Sequence, residues 1–221
     1  ATISRVNKCL LYGAGGTLEN DMDDLTKDVW RKPMEKLKEA YDAGVIAPMD
    51  VDGEQAFGSG KAVFAQLGTW AQGNMSNTLG ADKIAEANTL QYSADNPVNF
   101  FYQCNWMQLK DPHRSAAKSA AAADFVKYVY EHWMDWSEVG SISPAYRDLN
   151  NPEYQKLIQA SFTNSKKERD YIKTSNYLYG GYATAGWGTY NDIVYGNVGL
   201  EEGLKTLDLM AQGQIEIQEE S

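Results

Sequence analysis

Residues 115–136, SAAKSAAAADFVKYVYEHWMDW, give the strongest helix signal in the chain. Alanine has the highest intrinsic helix propensity, and the apolar residues recur at three- and four-residue spacing, as on the buried stripe of an amphipathic helix. Asp111 or Ser115 is placed to cap the first turn. We therefore expect one long helix, with an apolar face made of Ala122, Phe125, Val126, Val129, Tyr130 and Trp133.

Several shorter segments have the same periodicity. The segment after Asp28 places Trp30, Met34, Leu37 and Tyr41 at helical spacing, and it predicts a helix from Asp28 to Ala43 that ends at Gly44. The acidic run before it, ENDMDDLTKD, predicts a solvated loop. Further helices are expected at about 53–58, 152–160, 187–195 and 200–212.

Two segments favour strands over helices. The compact apolar run AVFAQLG at 62–68 suits a buried strand. NPVNFFYQCNWMQLKD at 96–111 predicts a second strand region, with a proline at its entry and an Asp-Pro pair at its exit. The expected fold is therefore predominantly helical with few strands.

Charge and hydropathy exclude some classes of protein. A net charge of -10 has the wrong sign for a phosphate backbone, so nucleic acid is not an expected partner. The sequence has neither the uninterrupted apolar run of a membrane span nor a visible signal peptide. Cys9 and Cys104 leave the disulfide state open, since two cysteines form one bridge or none.

The motifs of catalysis are absent from the sequence. His113 and His132 lie in predicted helical segments, and no nucleophile elbow, zinc-protease or Walker motif is present. The GAGG run at 13–16 does not match a dinucleotide-binding turn. A pair of glycosidase carboxylates stays open, because their separation is three-dimensional. Neither a cofactor nor a metal is expected.

One ordered series of motifs is more specific. LKEAYDAGVIAPMDVDGEQAFGSGKAVFAQLGTW, residues 37–70, has a helix, a glycine stop, an aspartate-containing link, G-x-G-K, an apolar run and G-T-W. Here the chain resembles the extracellular solute-binding proteins of ABC importers, in the sugar-binding family that includes maltose-binding protein. The segments at 13–24, 109–130, 140–148 and 186–213 are similar to further parts of that family in the same order.

The resemblance implies an α/β, predominantly helical C-terminal lobe of a type II periplasmic-binding-protein-like fold, with the N-terminal lobe largely absent. It divides the chain into a first part of that lobe at 1–97, a hinge-crossing strand and helix at 98–142, and a second part at 143–221. The hinge-crossing part packs on the N-terminal lobe in the family. We therefore expect this chain to be a fragment, with a patch that a dimer partner or the lost lobe would cover: Phe100, Phe101, Trp106, Phe125 and Tyr130.

The resemblance also implies function and site residues. The family captures a carbohydrate outside the cytoplasm, as a lipoprotein or a periplasmic protein, and delivers it to the permease subunits without chemistry. Trp70 and Trp187 match positions where the family stacks an aromatic ring on a sugar, and an indole suits the apolar face of a pyranose. Tyr190, one helical turn after Trp187, is expected to share that surface. Weaker candidates for ligand contact are Trp106, Asn105, Arg5 and Asn7.

Two other classes of protein fit the same composition. A mostly helical glycan-processing enzyme would share the excess of tyrosine and tryptophan, with fourteen Tyr and six Trp against six Phe. A stand-alone helical interaction module is the third interpretation. Catalytic turnover distinguishes the enzyme from the carrier.

Overall fold

The computed structural model is predominantly helical, with about 60% of its described residues in helices and none in a strand. The chain divides into two compact units. Unit 1 comprises residues 1–66, 88–101 and 167–221, and unit 2 comprises 67–87 and 102–166. The structure describes residues 9–87, 89–98, 108–138, 150–160 and 188–219.

The helices have the following bounds: α1 at 9–13, α2 at Leu18–Asp21, α3 at Asp28–Asp42, α4 at Gly53–Gly58, α5 at Gln72–Leu79, α6 at Ala116–Glu131, α7 at Trp133–Glu138, α8 at 188–194 and α9 at Leu200–Glu219. Short 3₁₀ turns lie at Thr69–Ala71, Ala81–Lys83 and Tyr154–Lys156. The helices predicted at 28–43 and 53–58 are confirmed to within one residue. In the described residues, no helix is both long and apolar enough to cross a bilayer.

Helix α3 supplies one side of the core of unit 1. Trp30, Met34 and Leu37 are buried at the spacing that the sequence predicts. The helix ends in a Schellman motif, in which the Gly44 and Val45 amides donate to the carbonyls of Tyr41 and Ala40 at 2.8 and 2.9 Å. Gly44 takes a positive φ of 72°, which a residue without Cβ adopts readily. The rest of the core comes from Leu10, Leu11, Leu18, Met22, Leu25, Tyr190, Ile193, Val194, Leu204, Leu207 and Ala211.

The acidic run at 19–28 is not simply a solvated loop. Its first residues lie in α2, and Met22 and Leu25 are buried in the core. Polar contacts from α9 hold this segment: the Asp208 carboxylate accepts from the Leu25 amide at 3.0 Å, and the Gln212 amide donates to the Met22 carbonyl at 2.6 Å. The acidic run therefore packs onto the core of unit 1 through Met22 and Leu25, with polar contacts from α9 beside them.

The predicted strand at 62–68 is wrong, since these residues lie in no strand. Val63 and Phe64 are 81% and 90% exposed, although the sequence predicts a buried run. A strand needs a neighbour to pair its backbone, and no described residue provides one. The central part of the second predicted strand, 99–107, lies outside the described residues, and the described residues on either side of it are not in a strand.

The predicted long helix forms as two pieces. Ser115 caps α6 by accepting a hydrogen bond from the Lys118 amide at 3.2 Å, and α6 ends before His132. No residue of α6 is buried. Phe125 is 55% and Tyr130 49% exposed, so neither aromatic side chain is buried as it would be in a core helix. Phe100, Phe101 and Trp106 lie outside the described residues. The three-part division at 1–97, 98–142 and 143–221 stays a prediction.

Candidate functional site

Of the predicted ligand contacts, the structure describes Trp70 and Tyr190. Trp70 belongs to unit 2 and Tyr190 to unit 1. The remaining candidates lie outside the described residues: Trp187, Trp106, Asn105, Arg5 and Asn7.

Tyr190 does not suit the stacking role that the sequence suggests. It is 0% exposed and belongs to the core of unit 1, together with Ile193 and Val194 of the same helix. A ring whose surface is covered by core side chains cannot lie against a sugar at the surface. The sequence indicates this burial, because Tyr190, Ile193 and Val194 occupy positions i, i+3 and i+4 of a helix and therefore share one face.

Trp70 is an exposed aromatic side chain with a defined support. It lies in the 3₁₀ turn Thr69–Ala71, which leads directly into α5. A Cβ added to Gly68 would clash with the six-membered ring of Trp70, so the indole covers the surface where a side chain of residue 68 would project. With 54% of its surface exposed, Trp70 is still accessible to a ligand. A side chain at residue 68 would therefore displace the Trp70 ring for a steric reason and not for a backbone one, since the φ of Gly68 is -87°.

The segment that carries Trp70 is anchored by burial. Ala71 and Met75 are 3% and 5% exposed, which places one side of this turn and of α5 inside unit 2. Elsewhere in the unit, α7 packs near the 3₁₀ turn at Tyr154, where the Trp133 and Tyr154 ring centroids are 5.5 Å apart. Trp70 thus extends from a packed segment.

A chain of buried amides links α5 to two other parts of unit 2. The Gln72 side-chain amide donates to Gln159 Oε1 at 2.8 Å, and Gln159 Nε2 donates to the Ser137 carbonyl at 2.7 Å. Gln159 and Ser137 are 1% and 0% exposed. The sequence does not indicate the burial of these residues, because glutamine and serine are ordinary surface residues whose burial depends on distant partners.

The amide chain leaves one acceptor without a partner. Within the described residues, Gln72 Oε1 is buried and accepts no hydrogen bond. A buried carbonyl oxygen without a donor costs about 1–3 kcal/mol, and such atoms commonly hold an internal water. The orientation of the Gln72 amide therefore depends on its bond to Gln159.

A shallow depression of about 470 Å³ also lies within unit 2. Its wall is largely aliphatic, with Ile84, Leu157 and Ile158 beside the Glu86 carboxyl. Burial raises the pKa of Glu86 above its ordinary value of 4.5, because desolvation disfavours the charged form. The described residues contain no group of acidic, histidine or cysteine side chains that could hold a metal ion.

We expect Glu86→Gln to change how the stability of the chain depends on pH. Glu86 binds its proton more tightly in the native state than in the unfolded state. The free energy of unfolding of the chain therefore falls as the pH rises from the ordinary pKa of Glu86 through the raised one. A neutral glutamine at residue 86 removes this fall. Thermal unfolding followed by circular dichroism from about pH 4 to about pH 7 should show a smaller decline in Tm for the variant.

Glu138→Gln is the matched control for this measurement. Glu138 is an exposed carboxylate of the same unit and lies outside the depression. Its variant removes one negative charge from the same unit without altering the depression, so it controls for the change in net charge. Parallel profiles for Glu86→Gln and the unaltered chain would contradict the assignment of a raised pKa to Glu86.

No protein-family model matches the sequence, and the search of curated proteins found no significant match.

Proposed function

We propose that this chain is the C-terminal part of a carbohydrate-binding protein that serves an ABC importer. Its N-terminal lobe would complete a two-lobe, periplasmic-binding-protein-like fold, and a sugar would bind between the lobes. The single observation that carries this proposal is Trp70 of the G-T-W motif, which is 54% exposed and lies against Gly68. An accessible indole on a packed segment provides the flat apolar surface that the C-H face of a pyranose requires.

The proposed mechanism is binding without chemistry. Ligand held by both lobes favours the closed state over the open one, and the closed state docks on the permease subunits. The protein would act outside the cytoplasm, either in the periplasm or as a lipoprotein anchored to the membrane. One lobe alone makes only part of the ligand contacts, so this chain should bind sugars weakly.

A panel of oligosaccharides tests the proposed carrier function. In saturation-transfer NMR, the ring protons of at least one glycan should receive saturation from the chain, as expected for a sugar that stacks on an indole. Mass spectrometry of the recovered glycan after long incubation should show an unchanged mass. Hydrolysed or modified glycan would contradict a carrier and favour the helical glycan-processing enzyme. The absence of a saturation-transfer signal for every glycan of the panel would contradict sugar binding by this lobe.

The exposed face of α6 fits the same proposal. The aromatic side chains of Phe125 and Tyr130 are about half exposed. In the proposed two-lobe protein, the N-terminal lobe covers this helix. Without that lobe, apolar surface of this kind favours self-association.

We therefore expect the chain to associate in solution through α6. Sedimentation velocity at about 0.15 M salt, where the Debye length is about 8 Å and repulsion between acidic chains is screened, should show a sedimentation coefficient that rises with protein concentration. Phe125→Glu should reduce this rise, because it places a charge within the apolar face.

Ala120→Glu provides the control for charge alone. Residue 120 is exposed on α6, about 140° around the helix from Phe125 and about 80° from Tyr130. This variant should associate as the unaltered chain does. A compact monomer of 24.6 kDa at every concentration would contradict association through α6.

A further inference from the structure

We draw no further inference here: the strongest candidate, the depression of about 470 Å³ in unit 2 where Glu86 lies beside Ile84, Leu157 and Ile158, carries nothing because nothing in the structure shows what covers its aliphatic side.

Discussion

Trp70→Ala should weaken glycan binding by about 30-fold. This loss corresponds to about 2 kcal/mol, the typical cost of truncating a tryptophan that anchors a binding surface. The physical reason is that alanine offers no flat apolar surface to the C-H face of the sugar, while the packed residues Ala71 and Met75 are left in place. In ligand-observed NMR at a fixed glycan concentration, the saturation-transfer signal should fall to the background level.

Two further variants separate stacking from general damage. Trp136→Ala removes another partly exposed tryptophan of unit 2, 45% exposed on α7, and should leave glycan binding unchanged. Trp70→Phe keeps an aromatic face and should recover part of the affinity. Equal binding by Trp70→Ala and the unaltered chain, with both folded by circular dichroism, would remove Trp70 from the ligand site.

Gly68→Ala tests the support of the indole rather than the indole itself. The new Cβ would occupy the space of the Trp70 ring, so the ring must move. Because the backbone of Gly68 has a negative φ, alanine introduces no backbone strain there. This variant should therefore weaken glycan binding while leaving the midpoint of thermal unfolding nearly unchanged. Unchanged affinity would show that the ring position over Gly68 does not matter for the ligand.

Trp30→Ala should have the largest effect on stability, a loss of about 3–5 kcal/mol. Trp30 is 0% exposed in the core of unit 1, and its indole N-H donates to the Asp21 carbonyl at 2.7 Å. Truncation opens a cavity and leaves that carbonyl without this donor. A typical domain is stable by only about 5–15 kcal/mol, so the variant should unfold at much lower urea concentration or fail to fold.

Trp30→Phe keeps the measurement informative if the alanine variant does not fold. Phenylalanine retains most of the apolar contact but lacks the N-H donor, so a loss of about 1–3 kcal/mol is expected. Trp136→Ala, at a partly exposed position, should change stability by less than about 1 kcal/mol. Urea unfolding followed by circular dichroism provides the comparison. A Trp30→Ala midpoint equal to that of Trp136→Ala would contradict the place of Trp30 in the core.

The positions of α3 and α4 were predictable because they depend on local signals, whereas the helix predicted at 152–160 is largely wrong, since a 3₁₀ turn at Tyr154–Lys156 interrupts it. The apolar spacing of Trp30, Met34 and Leu37, and the glycine after α3, determine where that helix lies and where it ends. The cap at Ser115 is also local, since it joins residues three positions apart. In α8, however, the same periodicity identifies Tyr190 as a core residue, and a functional interpretation of its aromatic ring missed this.

Strands and buried polar groups were not predictable in the same way. Residues 62–68 have an apolar composition that suits a strand, but a strand also requires a partner that no local pattern specifies. The Gln72, Gln159 and Ser137 chain joins residues far apart in sequence, so nothing near any one of them indicates its burial.

The sequence by itself determined that the chain is predominantly helical, where α3 lies and ends, and that Trp70 closes a G-T-W motif. Only the tertiary structure decided that Tyr190 is buried while Trp70 is exposed, and that no residue of α6 is buried. The physical reason is that backbone hydrogen bonding within a helix closes over four residues, whereas burial depends on side chains brought together from distant parts of the chain.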